Sequence, residues 1–203
     1  MNAMQAGAPL VVHGVQPLED WGPDGLCEAL PGGGTEPMST LDTFSNTWVR
    51  PTPREFFGGF HDATKWPRWN GTPCLLKIKD FPPQNDFKNE LPKHHADFFR
   101  FVPAPDYTHP QGRRNIAAYM PDEGNPPDLG PKMYVSFGGL RFESGAVRGG
   151  NTPLHLDMCD AVNILVAEGV STDTQEFYRM LEAKTKAAKR GETGTEREGE
   201  ESG

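Results

Sequence analysis

The chemistry-bearing residues of this chain are concentrated between Asn151 and Asn163, with His155-Leu156-Asp157 at the centre. In extended backbone, residues i and i+2 point to one face. His155 and Asp157 can therefore present an imidazole and a carboxylate to one metal ion from one side. Two such donors and a distant histidine make the facial triad of non-haem Fe(II) oxygenases, which keeps positions open for cosubstrate and oxygen. Asn163 lies at even spacing from His155 and would share its face in a regular strand. The plainer alternative is a His and an Asp sharing a hydrogen bond at a strand end. Context favours the metal: a Gly149-Gly150-Asn151 turn precedes the motif, and the apolar run Ala161–Val166 reads as a buried strand behind it.

Other segments must position this motif. Residues 8–15, rich in Val and Leu, predict a strand, and 45–50 and 74–80 predict two more. Residues 31–38, with Gly32, Gly33 and Gly34, predict a flexible loop. Pro53 with Thr52 before it predicts a helix start, with Phe56, Phe57 and Phe60 on one face. Apolar residues recur at helical spacing over 87–102, and Pro92 sets the true start of that helix. Residues 103–133 are dense in proline turns, and Met133–Phe137 alternates as a strand. Residues 173–190 have helix-forming composition. From Glu182 onward the chain lacks large apolar residues and cannot repay ordering entropy.

Composition bounds the whole. The 203 residues include 23 Gly and 20 Pro, and only 35% are hydrophobic. This predicts a loop-rich, strand-based fold, mainly β with helices, and disfavours a long-helix bundle. No apolar run is long enough for a membrane helix, and no secretory signal is expected. The net charge of −8 disfavours direct grip on a nucleic-acid backbone and suits a basic partner. The three cysteines, Cys27, Cys74 and Cys159, form neither a disulfide framework nor a thiolate zinc site, so a reducing compartment is expected.

Several strings carry a specific resemblance. Leu76-Lys77-Ile78-Lys79-Asp80-Phe81-Pro82-Pro83 resembles the "LKLKDWPP" signature of the JmjC histone demethylases of the lysine-specific demethylase 3 family. In the same order, Pro105-Asp106-Tyr107-Thr108 and Asn115-Ile116-Ala117 also match. Pro127 to Val135 is similar to "PDLGPKLYIAYG". Leu154-His155-Leu156-Asp157-Met158 with Asp160-Ala161-Val162-Asn163 is similar to "LHLDVSDAVNV". Gly7–Val15 and Phe56–Phe60 resemble further family segments. The resemblance implies a cupin-type double-stranded β-helix, or jelly roll, that uses Fe(II), 2-oxoglutarate and O₂. It implies hydroxylation of an N-methyl group on lysine nine of histone H3, release of formaldehyde, a nuclear location and partners in chromatin complexes. By position, His155 and Asp157 would ligate iron and Thr152 would bind the 2-oxoglutarate carboxylate. Asn163 and Tyr134 would line the same pocket. The alternatives stay open: a turn hydroxyl for Thr152, a core residue for Tyr134, a backbone-bonded amide for Asn163.

The family's triad takes its second histidine from well downstream, yet none of the six histidines here follows His155. The resemblance fades near Val170. The expectation is a partial JmjC domain over 5–170, a short helix over 171–181 and a disordered polar tail over 182–203. The jelly roll is then incomplete in its C-terminal half, as in a truncated gene product, and the chain is expected to be inactive by itself. The second reading is a non-catalytic chromatin-binding or regulatory protein of the same descent.

Overall fold

The computed structural model describes residues 8, 10–43, 45–69, 72–121, 123–124, 129–137, 140–141, 147–148, 152, 155–157 and 161–168. The predicted 149–151 turn, Cys159, the 171–181 helix and the 182–203 tail lie outside these residues. The architecture is α+β, built on a four-stranded antiparallel sheet with the order β2-β1-β5-β6. Its strands are β1 (Thr40–Asp42), β2 (Thr47–Val49), β5 (Leu76–Phe81) and β6 (Met133–Ser136). Two small ribbons accompany it: β3 (Arg68–Trp69) with β4 (Thr72–Pro73), and β7 (Leu140–Arg141) with β8 (Val147–Arg148).

The β1–β2 hairpin pairs Thr40 with Val49 and Asp42 with Thr47. Asp42 is buried and ties the hairpin to the sheet. One carboxylate oxygen accepts from the Leu75 amide at 2.9 Å, and the other from the Ser45 hydroxyl at 2.6 Å. Central β5 carries the buried Leu76 and Ile78 on one face, and Cys74 and Leu75 are buried just before it.

Helix α1 (Pro23–Ala29) opens on a proline and buries Leu26. The tight turn Pro31–Gly34 follows it. Gly34 has φ +78°, and a Cβ there would meet the Cys27 carbonyl at 2.7 Å, so glycine is required both by conformation and by space. The segment 31–38 is thus anchored where a flexible loop was expected, and Met38 is buried. Helix α2 (Pro53–His61) starts as its sequence predicts. The Thr52 hydroxyl accepts from the Glu55 amide while Glu55 accepts from the Thr52 amide, a complete capping box. Thr52→Ala is expected to lower the unfolding free energy by about 1 kcal/mol. The check is the urea midpoint at constant slope, and an unmoved midpoint would show an idle cap.

Pro92 divides the next helical stretch into α3 (Phe87–Glu90) and α4 (Pro92–Phe101), where the sequence places the break. The short α5 (Pro105–Thr108) and a 3₁₀ turn (Ile116–Tyr119) punctuate the proline-rich segment. The core joins α1, α2, α3 and the sheet through Trp21, Leu26, Phe56, Phe57, Trp66, Leu76, Ile78, Phe87 and Phe137.

Two predicted strands are corrected. Residues 10–15 join no ladder among the described residues, and Leu10, Val11 and Val12 are exposed. Residues 161–166 likewise form no strand, and Val162 and Leu165 are exposed, although Val166 packs on the core. β-Branched runs favour extended backbone, but a strand also needs a partner edge for its amides and carbonyls.

Candidate metal centre

His155, Leu156 and Asp157 join no helix or strand. Leu156 is 97% exposed, and its two neighbours meet each other. The His155 Nε2 lies 3.4 Å from Asp157 Oδ1, and the two side chains are 56% and 55% exposed. Donors on one ion at bonds of about 2.1 Å stand about 3 to 3.4 Å apart for angles between octahedral and tetrahedral. The pair therefore fits two positions of a metal site and is open to solutes. Among the described residues, no group of three His, Cys, Asp or Glu side chains converges on such a site. The pair supplies two donors and no more.

His94, His95 and His109 are committed elsewhere. His94 is buried on α4, with Nε2 donating to the Asp20 carbonyl at 2.9 Å and its ring edge-on to Trp21. His95 and His109 flank the Phe99 ring. Burial and the Lys88 ammonium hold the His95 imidazole below its ordinary value.

Tyr134 on β6 is held by Asp80. Its hydroxyl donates to Asp80 Oδ1. That hydrogen bond, partial burial and the charges of Asp80 and Asp157 push the phenol up to about 12. The side chain is exposed, which corrects the reading of Tyr134 as a core residue. Thr152 and Asn163 are also exposed, and among the described residues no hydrogen bond joins either to the His155–Asp157 pair. Their expected roles gain no contact here, and the buried amide considered for Asn163 is corrected. Asp80 is the residue that spacing rules pass over, although it stands inside the Leu76–Pro83 string.

No protein-family model matches the chain. Individual proteins do. Lysine-specific demethylase 3 of Drosophila melanogaster is 38% identical over 174 residues, which is 83% of this chain and 20% of that protein. Lysine-specific demethylase JMJ29 of Arabidopsis thaliana is 36% identical over 173 residues, 83% of this chain and 19% of that protein. The chain belongs to the lysine-specific demethylase 3 family. Human lysine-specific demethylase 3A adds 33% identity over 168 residues, 81% of this chain and 12% of its own length. The chain thus spans a fifth or less of these relatives. The membership agrees with the resemblance carried by the Leu76–Pro83 and Leu154–Asn163 strings, and with an α+β fold around an antiparallel sheet. Among the described residues, no helix is long and apolar enough to cross a membrane.

Proposed function

We propose that this chain is the metal-bearing part of a JmjC-type histone demethylase, a partial domain over residues 5–170. The observation that carries the reading is the 3.4 Å approach of His155 Nε2 to Asp157 Oδ1. His155 and Asp157 would hold Fe(II), with Thr152 toward the 2-oxoglutarate carboxylate and Asn163 and Tyr134 lining the pocket. When bound, iron with 2-oxoglutarate and O₂ supplies the oxidising power to hydroxylate an N-methyl group. The chain's own residues bind and orient. Asp157 adds negative charge to the site, and Asp80 accepts a hydrogen bond from the Tyr134 hydroxyl. The substrate is a methyl-lysine of histone H3, lysine nine by family resemblance, met in the nucleus within chromatin complexes. The net charge of −8 favours encounter with a basic histone tail.

One observation favours a second reading, a non-catalytic chromatin-binding or regulatory role. No third donor joins the pair among the described residues.

One experiment addresses both. The 203-residue chain is expected to bind Mn(II), used as a redox-silent probe, and His155→Ala is expected to weaken binding at least tenfold, as loss of a ligand should exceed the ~10–100-fold effects of residues behind the ligands. Equal affinity in the two proteins would sink the metal assignment. With Fe(II), 2-oxoglutarate and a methylated H3 peptide, the isolated chain is expected to release no more formaldehyde than the His155→Ala control. Release above that control would overturn the expected inactivity and establish catalysis.

A further inference from the structure

The segment after α4 closes on itself. The Arg114 amide donates to the Asp106 carbonyl at 2.8 Å, and the Gly112 amide donates to the His109 carbonyl at 2.8 Å in the turn between them. The chain passes so close at Gly112 that a Cβ would stand 2.5 Å from the Asp106 carbonyl oxygen. This closure sets Arg113 and Arg114 against Asp106 and Tyr107 of α5. The Arg114 guanidinium donates to the Tyr107 hydroxyl oxygen at 2.7 Å and lies 5.5 Å from the centre of the Tyr107 ring. The exposed Arg113 guanidinium stands 3.4 Å from the Asp106 carboxylate. Tyr107 is 42% exposed, and no residue of α5 is buried, so this single turn opens at small cost. Among the described residues, Tyr107, Tyr119 and Tyr134 are exposed, and their hydroxyls meet different charges. Tyr119 donates to the Arg113 carbonyl and Tyr134 to the Asp80 carboxylate, acceptors that would repel a phosphate. The Tyr107 oxygen meets a guanidinium.

We propose that Tyr107 is a phosphorylation site whose phosphate is received by the Arg114 and Arg113 guanidiniums and locks residues 105–115. The phosphoryl donor is ATP, carried by a protein tyrosine kinase. A bond forms between the Tyr107 oxygen and the γ-phosphorus, and the bond from that phosphorus to the β-phosphate oxygen breaks. ADP leaves, and the phenolic proton passes to the catalytic base of the kinase. The modification places about −1.5 to −2 charge and three acceptor oxygens on an atom that a guanidinium already holds. The planar guanidinium fork suits a phosphate, with two parallel hydrogen bonds. Asp106 opposes the new charge, but it sets one carboxylate against two guanidiniums. Its exposed pair with Arg113 is worth little, so Arg113 is free to turn to the phosphate. The proposal stands apart from the His155–Asp157 reading and does not depend on it.

The test treats the full chain with a broad-specificity tyrosine kinase, ATP and Mg(II), and maps the phosphate by mass spectrometry. Tyr107 is expected to be marked ahead of Tyr119 and Tyr134, and Tyr107→Phe is expected to lose that mark. No phosphate on Tyr107, or slower marking there than at the other two, would overturn the site. Reception by the arginines is read by ³¹P nuclear magnetic resonance on the full chain made with phosphotyrosine encoded at position 107. Two cations favour the dianion, so its second ionisation is expected about one pH unit below the ordinary value of about 6. Arg114→Gln is expected to return it most of the way, and Arg113→Gln part of the way. Exchange of the Arg114 amide, which is bonded to the Asp106 carbonyl, is expected to slow about threefold on phosphorylation. An ordinary ionisation in the phosphorylated wild type would overturn the clasp. So would a lowered ionisation that neither arginine substitution moves, or an Arg114 amide that exchanges no more slowly.

Discussion

Asp97→Ala is expected to lower the unfolding free energy by about 3 kcal/mol. The Asp97 side chain on α4 is 3% exposed. It accepts from the Leu18 amide at 2.9 Å, the Glu19 amide at 3.0 Å and the Trp21 indole at 3.0 Å. The Arg100 guanidinium donates to its other oxygen at 3.1 Å. Neighbours on the same helix complete the clasp: His94 donates to the Asp20 carbonyl, and Arg100 donates to the Gln16 carbonyl at 3.2 Å. Removing the carboxylate strands these donors in a protein interior, and each stranded group costs about 1–3 kcal/mol. Half of Arg100 faces water, so its share of the loss is small. Asp97→Asn should be nearly as damaging, because an amide turns one acceptor into a donor facing donors. Burial raises the Asp97 pKa, but the Glu19, Trp21, Leu18 and Arg100 hydrogen bonds outweigh it and hold the carboxyl below its ordinary value. A depressed carboxyl contributes stability above its unfolded pKa of about 3.9, and that stability is lost as pH falls through the folded value. The gap in urea midpoint between wild type and Asp97→Asn should therefore shrink below about pH 4. A loss under about 1 kcal/mol in Asp97→Ala, or a gap that ignores pH, would show that this clasp does not hold residues 16–21.

The sequence reveals the features that are set locally. The α2 start is visible because Thr52, Pro53 and Glu55 complete a cap within four residues, and the α3–α4 break is visible because Pro92 cannot donate. The His155–Asp157 approach is visible for the same reason, since residues two apart need no distant partner to meet. Features set by pairing are not visible. Among the described residues, 10–15 and 161–166 carry strand composition without a ladder, whereas the short β1, Thr40–Asp42, holds one through Asp42 and its distant bond to Leu75. Helix α1 is hidden because only Leu26 is buried within it. Asp80 reaches Tyr134 through a bulge created by the β5–β6 register, and no spacing rule within either strand announces it. Tyr134 is expected by resemblance to line the pocket, with a core residue as the alternative; its side chain is exposed and its hydroxyl is held by that same bulge.

Phe56→Ala is expected to cost about 4 kcal/mol, and its effect should reach the candidate site. Phe56 on α2 is 0% exposed. Its ring stacks on Phe137 at 4.9 Å and meets Phe57 edge-on at 5.2 Å. Phe137 is stacked in turn on Trp66 at 4.9 Å, and the Trp66 indole donates to the Gly59 carbonyl at 2.9 Å. Gly59 is needed there, since a Cβ would stand 2.8 Å from both rings. Phe137 directly follows β6, and its amide donates to the Leu76 carbonyl at 3.1 Å. The aromatic stack therefore clamps the end of the strand that carries Tyr134. Deleting the Phe56 ring leaves a cavity against Phe137 and frees that strand end to fray. Phe56→Leu refills most of the volume and is expected to cost about 1.5 kcal/mol. Hydrogen exchange distinguishes local fraying from uniform loss. In Phe56→Ala, the Phe137 amide should exchange faster relative to Leu75, whose amide is held by Asp42 on the far side of β5. A cost below about 1 kcal/mol would refute the clamp, as would equal acceleration at both amides.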